Sequence, residues 1–268
     1  MVKLVLPLLL AVLTAQAAIP PQPAFGPPWH PWLYDYSVYR AEAALPLDFV
    51  GSLEFIGGEL LLTTSLPSGR FHRYDPASGA LESLGVAPFG VSGSFWDGEF
   101  LWLAGNDGEL WRYTADLTAV EDWGEPYGEQ WYIELPSWRQ TGIARVGEEF
   151  WLVDELGVIY LWRPGEAEPR GEYVVGQGRE LAFDGGRSLW LLSYRGILKL
   201  TTTGEILGRI PLPATEGFPS GLAWDGARLW LVILDDDRAY LWSVDPQAAE
   251  LLPLGDPPED RRDAVEYD

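Results

Sequence analysis

The sequence predicts an all-β fold, a five-bladed β-propeller closed by an N-terminal strand, and three observations predict it. One phrase recurs five times: a small residue, an apolar pair, an Asp-Gly turn or its equivalent, then Leu-Trp-Leu or a near variant. The centres of the phrases, Leu61, Trp102, Trp151, Trp190 and Trp230, stand 41, 49, 39 and 40 residues apart. Each interval carries signals for four short strands, and repeats of about 40–45 residues with four strands apiece are propeller blades. A six-bladed ring is the alternative, but it needs a further inner half-blade that the sequence does not supply.

The elements follow in order along each unit. The first strands begin Ser52-Leu53-Glu54-Phe55, Gly93-Ser94-Phe95-Trp96, Gly142-Ile143-Ala144-Arg145, Glu180-Leu181-Ala182-Phe183 and Gly221-Leu222-Ala223-Trp224. Asp97-Gly98, Asp184-Gly185 and Asp225-Gly226 are tight-turn pairs leading into second strands. The second strands are apolar on both faces, as expected of sheets packed between two neighbours. Third strands are expected at 71–74, 110–113, 159–162, 197–200 and 241–244, and fourth strands at 81–84, 206–211 and 250–254. Ahead of the repeats, the alternating stretch 36–40 is expected to pair with the last blade and remove its open edge.

Outside the repeats the chain reads differently. Residues 1–17 have a basic start at Lys3, an apolar run and the small-residue cleavage signal Ala15-Gln16-Ala17, the pattern of a removable signal peptide. Residues 18–35 form a Pro- and aromatic-rich arm, the propeller domain is assigned to 36–255, and 256–268 is an acidic tail. These features predict a secreted or periplasmic protein with no membrane anchor after cleavage. A monomer is expected.

Composition narrows the chemistry. There is no Cys among the 268 residues, which excludes disulfides, thiolate metal sites and a thiol nucleophile. Acidic residues outnumber basic ones 40 to 18, so the chain repels phosphate backbones and nucleic acid is excluded as a partner. The two histidines cannot build a His-rich metal site: His30 lies in the arm, and His72 falls in a third-strand column otherwise filled by Trp111, Tyr160, Leu198 and Trp242. Neither a metal nor a cofactor is expected. Asp235-Asp236-Asp237 lacks calcium-loop spacing and reads as a solvated hairpin tip.

Connectivity selects the functional face. Strands alternate in direction, so loops from second to third strand share a face with the blade-to-blade connections. The Asp-Gly turns lie on the other face and read as structural. The second repeat is about eight residues longer than its peers, and the excess at 121–138 carries Trp123, Trp131 and Trp138 off the repeat pattern.

Taken in order, the units resemble the five-bladed glutaminyl cyclotransferases of plants and bacteria. That family's Phe-Thr-Gln-Gly-Leu meets Phe49-Val50-Gly51-Ser52-Leu53, and its Phe-Gly-Glu-Gly meets Phe89-Gly90-Val91-Ser92-Gly93. Its Gly-Leu-Thr and Ser-Asp-Gly phrases meet Gly142-Ile143-Ala144 and Val153-Asp154-Glu155, and its Asn-Glu-Leu-Glu meets Arg179-Glu180-Leu181-Ala182. The resemblance implies an exported propeller related to enzymes that close an N-terminal Gln into pyroglutamate and release ammonia. Family polar residues are replaced at most matched positions, with Asp154 and Glu180 retained.

Glu180 is the sharpest single signal, because the other four units carry Ser or Gly at its position. A carboxylate near the crowded channel must be paired or hydrated, with Arg179 or Arg139 as the nearby cations. The expected ligand site is therefore the channel mouth, lined by Arg139, Asp154, Arg179, Glu180, Trp123, Trp131 and Trp138. Carboxylates beside aromatic faces favour a cationic or peptidic ligand. The partner is read as a small molecule or peptide, or an envelope protein. Catalysis is the runner-up, with Glu180 and Asp154 as acid and base.

Overall fold

The computed structural model describes residues 38–251, apart from 65–68, 89, 106, 122–131, 137–139, 176–177, 195, 214–216, 236–237 and 250. Residues 1–17, the whole of the arm at 18–35, the tail, Trp123, Trp131, Trp138 and Arg139 lie outside the described residues.

Among the described residues, twenty strands form five four-stranded antiparallel sheets. Blade 1 holds β2 (Val50–Ile56), β3 (Glu59–Thr64), β4 (Arg70–Asp75) and β5 (Ala80–Val86). Blade 2 holds β6 (Val91–Trp96), β7 (Leu101–Gly105), β8 (Glu109–Tyr113) and β9 (Tyr132–Glu134). Blade 3 holds β10 (Gln140–Val146), β11 (Glu149–Asp154), β12 (Val158–Trp162) and β13 (Gly171–Val174). Blade 4 holds β14 (Gly178–Phe183), β15 (Ser188–Ser193), β16 (Gly196–Thr201) and β17 (Ile206–Ile210). Blade 5 runs β18 (Phe218–Trp224), β19 (Leu229–Asp235), β20 (Arg238–Val244) and then β1 (Tyr39–Leu45) as its outermost strand.

The ring is closed as expected in kind, but two details are corrected. The closing strand is 39–45, not 36–40, and it pairs directly with β20, with Tyr39 opposite Val244 and Leu45 opposite Ala239. It thus fills the outer position assigned from sequence to 250–254. The reason is burial. Ala43 and Leu45 reach 0% and 2% exposure in the seam between blades 5 and 1, whereas the Ala-Glu-Ala-Ala-Leu run offers no β-branched signal that would mark a strand. The long second repeat contributes part of its excess to the fold, since β9 comes from it.

The core lies between blades. One cluster joins Leu53, Leu60 and Leu62 of blade 1 to Trp230 and Val232 of blade 5, and another joins Trp102 and Leu110 of blade 2 to Ile143 and Phe150 of blade 3. The repeated Asp and Trp explain each other. Trp102 Nε1 donates to Asp97 at 2.7 Å, and Trp230 Nε1 donates to Asp225 at 2.8 Å, each five residues downstream. In blade 4 the spacing from Asp184 to Trp190 is one residue longer. There Asp184 caps three turn amides instead, and the Trp190 indole N–H has no partner.

Candidate functional site

The five inner strands β2, β6, β10, β14 and β18 line a central channel, and close packing there dictates small residues. A methyl group on Gly93 would sit 2.6 Å from the Cα of Gly142, and one on Gly142 would sit 2.6 Å from the Cα of Glu180. Neighbouring backbones therefore touch near the axis, as the Ser and Gly at this repeat position suggest.

An inner strand has no partner on its channel side. Alternate N–H groups point into the channel and require acceptors. Glu180 supplies them on one level. Its Oε1 accepts from Ile143 N at 3.4 Å and Leu181 N at 3.3 Å, and the Ser94 N–H faces the same carboxyl group. These three amides occupy equivalent positions in blades 2, 3 and 4. Two residues further along, Glu54 does the same: Oε1 accepts from Phe55 N at 2.9 Å and Oε2 from Trp96 N at 3.2 Å. Two carboxyl groups thus bridge inner strands across the ring.

Their electrostatics are unfavourable to charge. Glu180 is 0% exposed, and its Oε2 has no partner. Burial drives its pKa well above the ordinary carboxyl range, and the nearby Glu54 adds to the rise, against the amide bonds. Glu54 keeps part of its surface open yet is surrounded densely enough that burial pushes it up to about 8, again against its two amides. The pair was half legible. Glu180 broke the repeat visibly, whereas Glu54 stood inside an ordinary strand phrase and gave only its parity as a clue.

The other candidates fall elsewhere. Asp154 is 3% exposed and ends β11. Its Oδ1 accepts from Leu156 N at 3.0 Å and Val158 N at 2.9 Å, and its Oδ2 accepts from Tyr160 O–H at 3.0 Å. It anchors the β11–β12 hairpin. The carboxylate coupled to Glu180 is Glu54, not Asp154. Arg179 does not pair with Glu180. Its guanidinium lies 5.0 Å over the Tyr194 ring and donates to the Tyr194 hydroxyl. Tyr194 meets Phe218 edge to face at 6.2 Å.

All five inner strands slip register at one place, leaving Gly51, Ser92, Thr141, Arg179 and Ser220 as bulged residues. Two of them stitch blades together. Ser92 Oγ donates to Gln140 O of blade 3 at 2.5 Å, and Thr141 Oγ1 lies 3.1 Å from Gly178 O of blade 4. Gly51 has no hydroxyl, Ser220 Oγ is buried without a partner, and Arg179 reaches the mouth.

That face also gathers exposed apolar side chains. Strand direction puts Phe49, Val86, Leu156, Val174 and Phe218 on it, and Phe49 and Phe218 are 55% and 61% exposed. Phe49 holds a left-handed φ of 50° just before β2, a strain that clusters at binding sites. A separate surface hollow of about 700 Å³, lined by Tyr132, Trp162 and Glu166, lies at the outer rim between blades 2 and 3 and contains neither channel carboxyl. Among the described residues, no cluster of three or more His, Asp or Glu is arranged to hold a metal.

No protein-family model matches the chain, and none of the curated proteins matches it. Among solved structures it is similar to the glutaminyl cyclase of Myxococcus xanthus, at 17% identity and a TM-score of 0.55, covering 77% of this chain and 96% of that one. It is also similar to the β-propeller domain of Cps50 (Swd1) from Myceliophteria thermophila, at 12% identity and a TM-score of 0.48, covering 77% and 99% of the two chains. A Bacteroides thetaiotaomicron protein of unknown function matches at 14% identity and a TM-score of 0.49, over 73% of this chain and 59% of that one. At such identities the likeness is one of fold: the chain is a five-bladed propeller with a glutaminyl cyclase-like architecture.

Proposed function

We propose that this protein is an exported, non-catalytic binding module that takes a small or peptidic ligand at the mouth of its propeller channel. One observation carries the reading: the carboxyl groups that would serve as acid and base are already engaged by the protein. Glu180 is sealed and seated on inner-strand amides, and Asp154 is held by three donors in a hairpin. A general acid or base must reach the substrate within hydrogen-bond distance, and Glu180 has no exposed surface to offer. Export is supported by the signal-like pattern of residues 1–17.

The cation-binding expectation loses two of its carboxylates by the same observations, which leaves the peptidic half. Catalysis is the second reading. It is favoured by the raised pKa of Glu180 and by the likeness to a glutaminyl cyclase fold. Incubation with a peptide bearing an N-terminal Gln, followed by ammonia assay, separates the two. No ammonia above the uncatalysed background is expected. Ammonia release that is lost in Glu180→Gln would establish the enzymatic reading instead.

A further inference from the structure

We propose that the mouth between blades 4 and 5 is a carboxylate-reading subsite, and that its ligand is a peptide C-terminus ending in an aromatic or branched aliphatic residue. This rests on the binding reading above and names the ligand class.

Five equivalent bulges occur, and a bulge re-aims the side chain it carries. Four of them carry Gly, Ser or Thr, small residues that suit a crowded seam, and two of those tie adjacent blades. Arg179 makes no such tie, because its guanidinium is turned to the mouth and donates to the Tyr194 hydroxyl. Its blade-to-blade stitch is missing, and its guanidinium stands instead on the Tyr194 ring. The stitches thus hold blades 2, 3 and 4 together, while the bulges of blades 4, 5 and 1 make none. Phe218, which opens β18, and Phe49, just before β2, stand on that unstitched side.

The chemistry of the cluster is specific. Among the described residues no carboxylate lies within ion-pair distance of Arg179, although the chain as a whole carries 40 acidic residues. Stacking on Tyr194 and the bond to its hydroxyl fix the guanidinium plane while leaving further N–H donors. A fixed guanidinium recognises a carboxylate through paired N–H bonds. Phe218 packs edge-on to Tyr194 and exposes the rest of its ring beside it. A carboxylate next to an apolar side chain is what a peptide presents at its C-terminus. The overall charge of −22 disfavours a polyanion, so a single carboxylate on an otherwise uncharged segment fits best.

The test uses the intact protein and a short uncharged peptide ending in Phe, as free acid and as C-terminal amide, with binding read by calorimetry. The free acid is expected to bind at least about tenfold more tightly than the amide, the effect of one charge-assisted contact. In Arg179→Gln that preference falls to nearly one, while the amide affinity is unchanged. Arg187→Gln, on the opposite face, keeps the wild-type preference. Acid and amide binding equally to the wild type would overturn the carboxylate subsite and leave the binding module standing. No binding of either peptide would likewise overturn the subsite, whereas the binding module itself falls only if ammonia is released from the Gln peptide and that release is lost in Glu180→Gln. Retention of the preference in Arg179→Gln would move the subsite elsewhere and overturn the assignment.

Discussion

Glu54 and Glu180 make stability depend on pH in a direction opposite to that of surface carboxylates. Their folded-state pKa values are raised, so the folded protein holds their protons where the unfolded chain releases them. Their contribution is complete below the ordinary value of 4.5 and is lost as pH rises towards about 8 for Glu54, with no further change above. The slope between these limits is at most about 1.4 kcal/mol per pH unit for each group. Denaturant unfolding of wild type and Glu54→Gln across pH 4.5–8 should show the wild type losing stability relative to the variant as pH rises. A constant difference between the two would mean that Glu54 ionises normally in the folded state. Asp97 and Asp225 act the other way. Although burial opposes it, their turn amides and indole donors lower them, so their stabilisation fades as pH falls below the usual Asp range.

At the level of elements, the closing strand decides whether the ring has an edge. Removing residues through Val38 leaves β1 whole, and such a chain should melt with the full-length protein. Removing residues through Leu45 strips β20 of its partner and opens the cluster around Ala43 and Leu45. An unpaired β20 presents a row of N–H and C=O groups for pairing with another copy. That truncation should aggregate or lose most of its cooperative unfolding, measured by light scattering and thermal melts. A shorter chain that stays monomeric with an unchanged melting temperature would show that β1 does not close the ring. The element's sequence explains the displaced prediction: Tyr-Ser-Val-Tyr alternates visibly, whereas Ala-Glu-Ala-Ala-Leu becomes a strand only because blades 5 and 1 bury it.

For the whole molecule, the architecture was legible because each blade repeats one local solution. The Leu-Trp-Leu second strands, the Asp-Gly turns and the spacing of about 40 residues all report local structure, and the inter-blade core follows from them. The site was legible only where it broke that repeat. Glu180 stood out against Ser and Gly, and Arg179 stood beside it, yet their apparent pairing was an effect of sequence adjacency. Successive strand residues point to opposite sides, so Glu180 turned to the channel amides and Arg179 to the mouth. Glu54 was hidden because its role depends on the Trp96 amide of the next blade, 42 residues away. A crystal structure with a Phe-terminated peptide shows whether the channel carboxyls hold the ring while the mouth holds the ligand. The peptide carboxylate should lie on Arg179 beside Phe218, with Glu180 still accepting from the Ile143 and Leu181 amides. Peptide inside the channel, with Glu180 turned off those amides and onto the ligand, would contradict that arrangement.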